Sequence, residues 1–144
     1  MPTAHRTRTL PAPQQEVWDL ISDPHHMARW WPGVDRIEGV AGDRFTQVFK
    51  TRRGRPVRAD FHLIDLQPPS LCAWEQEIEG TPFARVLSEL VIEVRVQPAE
   101  GGSEVTVAEM HKLRGYSRTG GLAMRRMARR RLESALDGLQ RILG

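Results

Sequence analysis

Residues 90–97 read LVIEVRVQ, and this stretch decides the fold of the chain. Its even-numbered positions are all aliphatic, whereas its odd-numbered positions include Glu93, Arg95 and Gln97. Because successive side chains of a β-strand point to opposite faces, the alternation predicts a strand with one face in the core and the other in water. Antiparallel sheets commonly have one such solvated face.

Strand-like segments continue on both sides of this stretch, and the breaks between them contain glycine or proline. The predicted strands are residues 3–10, 34–40, 43–52, 55–66, 70–79, 82–97 and 103–113. The last six are joined by connections of about 2–6 residues, whereas parallel neighbours need a crossover of a dozen or more. We therefore expect an antiparallel meander. At ~3.3 Å per residue the segment 82–97 would be about 50 Å long, so we expect it to bend or bulge.

Helical segments precede and follow the meander. The apolar spacing becomes helical from Pro13 and stops at Asp23, and residues 24–30 could form a second short helix. Residues 121–143 place their apolar side chains on one arc at about 100° per residue, which predicts a long amphipathic helix that covers the sheet. Ser117 or Thr119 would cap this helix.

The composition limits the class of protein. The 144 residues suit one domain, taken to span residues 1–144, and the net charge is only +3. The single cysteine, Cys72, excludes an intramolecular disulfide and a four-cysteine zinc site. No segment approaches the ~20 apolar residues of a membrane-spanning helix. The N-terminus, MPTAHRTRTL, lacks the apolar region of a signal peptide, so we expect a cytoplasmic protein.

The expected elements also predict a cavity. Seven strands at ~4.8 Å spacing make a sheet about 30 Å wide, whereas a helix with its side chains is only ~10 Å wide. A twisted sheet would curl around the helix, and half-closed barrels of this kind commonly hold a small ligand, unless large side chains fill the space. The expected fold class is α+β: a curved seven-stranded antiparallel sheet wrapped around a long C-terminal helix, with two short N-terminal helices.

Three stretches of the chain resemble a known family. They read APQQEVWDLISDPHHMARWWPGVDRIE (residues 12–38), LIDLQPPSLCAW (63–74) and GGSEVTV (101–107). These stretches are similar to the polyketide cyclase/dehydrase-like branch of the START-related (SRPBCC) superfamily. The resemblance covers nearly the whole chain and implies a helix-grip fold with an apolar cavity. Because that superfamily includes lipid carriers, coenzyme Q-binding proteins, aromatase/cyclases, hydroxylase subunits and chaperone activators, the resemblance leaves the activity open.

Strand parity and the helix arc define candidate ligand-binding residues. If Val105 and Val107 face inward, Glu109 and His111 face inward as well. The same parity places aromatic and amide side chains of other strands inside, and the C-terminal helix adds residues of its arc. Trp30 could cover the cavity as a lid or anchor the short helices on the core. The candidates are Trp30, Phe45, Phe49, Phe61, Trp74, Gln76, Glu109, His111, Met124, Arg125 and Ala128.

Glu109, His111 and Arg125 are the candidates for chemistry. Arg125 lies about 20° from Leu136 on the helix wheel, within the arc that faces the sheet. A buried carboxylate needs a partner, and a carboxylate beside an imidazole in a dry pocket suits acid–base catalysis. One hypothesis is that Glu109 and His111 orient or deprotonate a carbonyl-bearing ligand while Arg125 stabilises an enolate or carboxylate. The other is that Glu109 forms a solvated ion pair at the edge of the sheet.

The remaining motifs concern metals, cofactors and partners. His25 and His26 point in different directions on a helix and have only Asp23 nearby, so no metal site is predicted. No cofactor is expected, because the chain lacks a glycine-rich phosphate loop. The arginine-rich residues 125–131 form either a solvated helix face or a contact for anionic membrane lipids. Nucleic-acid binding is not predicted, since Tyr116 is the only aromatic residue beside this run, and a homodimer is left open.

Two functions fit these residues. The chain is expected to bind a hydrophobic small molecule, such as a lipid, an isoprenoid or a polyketide, between the sheet and the C-terminal helix. Alternatively, it is a polyketide cyclase/aromatase or a dehydratase that uses interior acid and base groups. A third reading is a regulatory partner that acts through its surface. Polar groups that converge around an enclosed space would favour the enzyme, whereas groups spread over the rim would favour the carrier.

Overall fold

The structure, a computed structural model, describes residues 3–115 and 118–144. Within these residues the strands are β1 (Ala4–Leu10), β2 (Val34–Ala41), β3 (Arg44–Lys50), β4 (Pro56–Gln67), β5 (Leu71–Gln76), β6 (Leu87–Ala99) and β7 (Gly102–Leu113). They form one seven-stranded sheet in the order β1-β7-β6-β5-β4-β3-β2, and every neighbouring pair is antiparallel. The predicted meander is confirmed, and β1 extends it by pairing with β7.

The alternation along β6 produces the expected division between core and solvent. Val94 and Val96 are buried, whereas Arg95 and Gln97 are exposed. Val107 of β7 lies directly opposite Val94 and is buried as well. Neighbouring strands thus contribute aliphatic side chains to one face of the sheet, where apolar burial stabilises the fold.

The predicted strand at residues 82–97 is wrong at its start. Pro82–Arg85 forms a 3₁₀ turn, and β6 begins only at Leu87, with a register shift before Glu89. Proline has no N–H for a strand ladder, and its fixed φ angle suits the first turn of a helix. The bend expected in this long segment is therefore a turn followed by an irregularity in the pairing.

Two short helices lie between β1 and β2, as the sequence predicts. They are α1 (Gln14–Ile21) and α2 (Met27–Trp30), with a 3₁₀ turn at Pro24–His26 before α2. The carboxylate of Asp23 accepts a hydrogen bond from the backbone N–H of His25 at 3.0 Å, which caps the start of this turn.

The C-terminal helix α3 (Arg118–Leu143) begins somewhat earlier than the predicted range 121–143. Of its two predicted caps, Ser117 lies outside the described residues and Thr119 lies within the helix. The helix buries one stripe of side chains, namely Ala128, Leu132, Ala135, Leu136 and Leu139. This is the amphipathic pattern expected of a helix that covers a sheet. Among the described residues, none of the helices combines the length and the hydropathy needed to span a bilayer.

The C-terminal half of α3 is held on both sides. A Cβ atom at Gly138 would lie 2.4 Å from the carbonyl oxygen of Trp30, so only glycine allows α2 and α3 to approach this closely. On the other side, Arg8 of β1 donates hydrogen bonds to Glu133 at 2.8 Å and to Asp137 at 2.7 Å. Tight packing and ion pairs therefore fix this half of the helix against the sheet and α2.

An aromatic cluster joins α2 to the sheet. Trp30, Trp31 and Trp74 meet edge to face, with ring centroids 5.6, 6.4 and 6.5 Å apart. Phe45 stacks on Phe61 at 5.5 Å and meets Trp74 at 6.3 Å. Edge-to-face and offset-stacked rings attract each other beyond the effect of their buried area. The cluster thus ties the short helices to β3, β4 and β5.

Candidate functional site

A cavity of about 930 Å³ lies between the sheet and α3. Its wall consists of Trp31 after α2 and of side chains from β3 to β7, from the region of the 3₁₀ turn at Pro82–Arg85 and from α3, and most of them are apolar. Cavities that bind small ligands commonly measure ~300–1,000 Å³. The side chains of the core therefore leave a space large enough for a small organic molecule, as the width of the sheet predicts.

Six of the predicted ligand-binding residues line this cavity: Phe49, Phe61, Trp74, Gln76, Glu109 and Met124. Gln47, which strand parity also places inside, belongs to the wall as well. The strand residues could be identified from sequence because the period of two is a local property of each strand. Their parity needs no knowledge of how the elements pack.

Three other predicted residues lie in the core rather than in the cavity wall. They are Trp30, Phe45 and Ala128, all nearly or fully buried. Trp31, the neighbour of Trp30, lines the cavity in its place. Adjacent residues at the end of a helix point in different directions, and the sequence does not tell which of the two faces the sheet. Trp30 therefore anchors α2, as the alternative interpretation proposed.

The prediction that Arg125 faces Glu109 is wrong. Arg125 is exposed, and Arg131 makes the contact instead. The wheel places Arg125 within the buried arc of α3, but the cavity lies to one side of that arc, at Met124, Met127 and Arg131. At about 100° per residue these three positions fall within ~60° of one another. Their spacing of three and four residues is visible in the sequence and could have identified this second face.

Glu109 is wholly buried in the cavity wall, with an exposed fraction of 0%. Its Oε1 accepts hydrogen bonds from Arg131, from Nε at 3.1 Å and from Nη2 at 2.6 Å, and its Oε2 lies 2.7 Å from Nδ1 of His111. Burial raises the pKa of Glu109, but the His111 hydrogen bond and the Arg131 charge outweigh burial and hold the pKa below its ordinary value. Glu109 is thus a buried, doubly partnered carboxylate and not a solvated edge residue.

His111 lies behind Glu109, outside the set of residues that line the cavity. Because an ionised carboxylate can only accept hydrogen bonds, Nδ1 of His111 carries the hydrogen and donates it. The backbone N–H of His111 donates to Oγ1 of Thr3 at 3.1 Å. Of the three candidates for chemistry, the structure therefore brings Glu109 and His111 together, adds Arg131 and leaves Arg125 in solvent.

Two nitrogen atoms in the cavity-lining side chains have no hydrogen-bond partner within the described part of the chain. They are Nε1 of Trp74 and Nε2 of Gln76, and both are buried. Nε2 of Gln47 contacts only the sulfur of Met27, at 3.5 Å, and a thioether is a weak acceptor. All three groups are donors. These unpaired or weakly paired groups of the wall are therefore donors, although each glutamine also carries an amide oxygen, and both oxygens of Glu109 already accept hydrogen bonds.

The other reactive side chains do not form a site. His25 and His26 both approach Asp23, at 2.9 and 3.7 Å, and no group of three or more ligand side chains is arranged for a metal ion in residues 3–115 and 118–144. Burial, with a smaller effect of Asp65, raises the pKa of the Cys72 thiol to about 12. A thiol with such a pKa stays protonated at neutral pH and is a poor nucleophile.

The arginine run of α3 divides between solvent and cavity. Arg131 turns to Glu109, whereas the other members are exposed, namely Arg125, Arg126, Arg129 and Arg130. Two apolar side chains that line the cavity are also more than half exposed: Val86 at 54% and Met127 at 57%. They lie at the rim, so an apolar mouth and a basic helix face occur in the same region of the molecule.

The whole chain matches a family described as "polyketide cyclase / dehydrase and lipid transport", over residues 1–144. The chain belongs to this family. The resemblance seen in the sequence is therefore confirmed. Among curated proteins, no sequence matches the chain. Membership of this family supports a role in binding a hydrophobic ligand or a polyketide cyclase-like role.

Solved structures share the fold of this family member. The di-domain ARO/CYC protein BexL of the BE-7585A biosynthetic pathway matches at 19% identity and a TM-score of 0.78, covering 95% of this chain and 44% of that one. A START superfamily protein from Mycobacterium smegmatis matches at 10% identity and 0.77, covering 96% and 94%. A conserved protein from Geobacillus kaustophilus matches at 15% identity and 0.77, covering 96% and 93%. At such identities the likeness establishes the helix-grip fold alone.

Proposed function

We propose that this protein binds a hydrophobic small molecule, such as a lipid, an isoprenoid or a polyketide, in the cavity between the sheet and α3. The observation that carries the proposal is the cavity itself: about 930 Å³ lined mainly by apolar side chains and open at its rim. Apolar walls gain free energy by removing apolar ligand surface from water. The family description, which includes lipid transport, supports the same role.

The state of Glu109 favours binding over acid–base catalysis. Both of its oxygen atoms already accept hydrogen bonds, and its pKa is below the ordinary value because His111 and Arg131 outweigh the effect of burial. A general base works best when its pKa is close to the working pH. A carboxylate that is held ionised by two partners is a weak base and serves better to position Arg131.

Cavity binding can be tested with a substitution that fills the space. Leu90 lines the cavity, so Leu90→Trp places a large ring there, whereas Ile64→Trp makes a comparable change at a residue of β4 that is 49% exposed and outside the wall. Native mass spectrometry of freshly purified protein would identify a co-purified ligand, and titration with the neutral dye Nile red would give the affinity. We expect Leu90→Trp to weaken dye binding about tenfold or more and Ile64→Trp to leave it unchanged.

Two outcomes would contradict the proposal. One is that the unsubstituted protein neither carries a ligand nor binds the dye. The other is that Leu90→Trp, folded by circular dichroism, binds the dye as tightly as Ile64→Trp does, since binding would then take place elsewhere.

A polyketide cyclase-like activity is the second candidate, because BexL shares the fold and because Glu109 and His111 lie in contact at 2.7 Å. In that case, the pair would orient or deprotonate a poly-β-ketone. Glu109→Gln and His111→Ala should then abolish turnover of a cyclisable poly-β-ketone, which product formation by mass spectrometry would measure. Unchanged product formation in both variants would exclude these residues as acid–base groups, and no turnover by the unsubstituted protein would exclude the activity on that substrate.

Contact with an anionic membrane would supply an apolar ligand. The apolar rim at Val86 and Met127 lies in the same region as the exposed arginines of α3. Apolar insertion together with basic residues is the combination that attracts proteins to anionic lipid surfaces. In a liposome flotation assay we expect the protein to float with vesicles that contain anionic lipid and not with neutral vesicles. Met127→Glu should reduce flotation, whereas Ile64→Glu, outside the rim, should not.

A further inference from the structure

One edge of the Arg131 guanidinium is available to a ligand. Its Nε and Nη2 both donate to the same oxygen of Glu109, at 3.1 and 2.6 Å. A guanidinium carries five N–H groups in one plane, so this contact uses only the side that contains Nε. The other edge consists of Nη1 and the second hydrogen of Nη2, and Nη1 makes no hydrogen bond within residues 3–115 and 118–144. Arg131 lines the cavity with 33% of its side chain exposed.

Glu109 holds this arginine in place. The carboxylate is wholly buried, and His111 fixes its second oxygen at 2.7 Å. His111, Glu109 and Arg131 therefore form one chain of hydrogen bonds, of which Glu109 and Arg131 line the cavity. Glu109 already orients the guanidinium. Binding a ligand at its free edge therefore costs less arginine side-chain entropy than binding to a mobile arginine would.

The neighbouring donors point to the chemistry of the ligand. Trp74 and Gln76 line the same cavity, and each has a buried N–H group without a partner in the described structure. Buried polar groups are normally hydrogen-bonded, so an unpaired donor next to a cavity requires an acceptor. The free edge of Arg131, Trp74 and Gln76 thus provide three donor groups in the wall, and a ligand with oxygen acceptors matches them.

We propose that the ligand is an amphiphile whose apolar body fills the cavity and whose carboxylate binds the free edge of Arg131. This inference rests on the proposed binding function and specifies its ligand class. A planar guanidinium binds a carboxylate through two parallel hydrogen bonds, which an alcohol or an ester cannot reproduce. Glu109 is a positioning residue for this contact, and Trp74 and Gln76 offer further donors within the same cavity.

The test compares two probes that differ only in their polar end, dodecanoate and dodecan-1-ol, both below their aggregation concentrations. Trp31 and Trp74 line the cavity, so intrinsic tryptophan fluorescence reports binding. For the unsubstituted protein we expect dodecanoate to bind at least about tenfold more tightly than dodecan-1-ol. Arg131→Lys keeps the positive partner of Glu109 but loses the planar edge. We expect it to reduce the preference for dodecanoate severalfold, with unchanged affinity for the alcohol.

Arg125→Lys is the matched control, since it makes the same change at an exposed arginine of the same helix. We expect this variant to keep the full preference for dodecanoate. Equal affinities of the two probes for the unsubstituted protein would overturn the carboxylate inference and leave the cavity-binding function intact. This comparison uses only the unsubstituted protein, so it does not depend on the folding of a variant. Failure of both probes and of Nile red to bind would overturn the binding function as well. A preference lost equally in both variants would show general charge attraction and also overturn the inference.

Discussion

The two halves of α3 have the same secondary structure but opposite surroundings. In the C-terminal half, Leu132, Leu136 and Leu139 are fully buried against the sheet and the short helices. In the N-terminal half, Leu122 is 63% exposed and Met127 is 57% exposed at the cavity rim. One helix thus closes the core with one half and borders a cavity with the other. A helix wheel drawn over the whole length predicts the packed stripe but not the side of the N-terminal half that borders the cavity.

The acidic and basic residues of α3 are also distributed differently between its two halves. Glu133 and Asp137, in the C-terminal half, pair with Arg8 of β1 and tie the helix to the sheet. The N-terminal half, residues 118–130, contains arginines but no aspartate or glutamate. Arg131 stands at the junction and crosses to Glu109 of β7. Within the arginine run, Arg131 lines the cavity and pairs with Glu109, whereas Arg125, Arg126, Arg129 and Arg130 are exposed.

The largest expected effect is the difference in unfolding free energy between substitutions of Arg131 and of Arg125. Arg131→Met leaves the buried carboxylate of Glu109 without its charged partner, and breaking a buried ion pair in this way costs about 3–5 kcal/mol of unfolding free energy. Arg125→Met, at an exposed position, should change it by about 0.5 kcal/mol or less. Urea denaturation followed by circular dichroism measures both values.

A double variant separates the ion pair from simple packing. Replacing both partners, as in Glu109→Gln with Arg131→Met, removes the unpaired charge and should recover part of the stability lost in Arg131→Met. Equal losses in Arg131→Met and Arg125→Met would contradict the assignment of the pair.

The packed and exposed leucines of α3 provide the next comparison. Leu136→Ala removes a fully buried side chain and leaves a cavity in the core, which should lower the unfolding free energy by about 2–5 kcal/mol. Leu122→Ala removes a side chain that is mostly in water and should change it by about 0.5 kcal/mol or less. Thermal or urea unfolding gives both numbers. Similar losses in the two variants would mean that the N-terminal half of α3 is packed as tightly as the C-terminal half.

Two glycines of α3 test whether the C-terminal half is packed more tightly than the N-terminal half. A methyl group at Gly138 would meet the backbone of Trp30 at 2.4 Å, so Gly138→Ala should cost about 1–3 kcal/mol of unfolding free energy. A methyl group at Gly121 would meet nothing within 4 Å, so Gly121→Ala should stabilise the helix by about 0.5–1 kcal/mol. Opposite shifts of the unfolding midpoint are expected. A gain in stability from Gly138→Ala would show that α2 and α3 are further apart than described.

The sequence was sufficient for the order of the strands and for most of the strand side of the cavity, because both depend on local rules; it failed at the start of β6 and for Phe45 and His111, which do not line the cavity. Strand parity places Phe61, Trp74 and Glu109 inside without any knowledge of packing. On the helix side only Met124 was predicted correctly, whereas Arg125 and Ala128 do not line the cavity, because the cavity side of α3 depends on how the sheet curls around it. The pairing of Glu109 with Arg131 joins residues on different elements and became visible only when β7 and α3 were placed together.

The choice between Trp30 and Trp31 shows a second limit. Both are apolar and adjacent, so the sequence leaves open whether a tryptophan here covers the cavity or anchors the short helices on the core. The assignment follows from the close approach of α3 at Gly138, which fixes α2 with Trp30 toward the core. Trp30 and Gly138 are more than a hundred residues apart in the sequence. The glycine is the one feature of the sequence that indicates their contact. Long-range packing, not propensity, decided this part of the site.

The smallest expected effect is a change in how the unfolding free energy depends on acidic pH, and it comes from Glu109, the partner of Arg131. Burial raises the pKa of Glu109, but His111 and Arg131 outweigh it, so the folded-state pKa lies below the unfolded value. A group of this kind contributes its full stability above the unfolded pKa and loses the contribution as the pH falls through the folded pKa. We therefore expect the unfolding free energy to fall less steeply in Glu109→Gln than in the unsubstituted protein below about pH 5. Other carboxylates with a lowered pKa, such as Glu38, are common to both proteins and cancel in the difference. Identical slopes in urea unfolding between about pH 7 and pH 3 would mean that Glu109 does not gain its partners on folding.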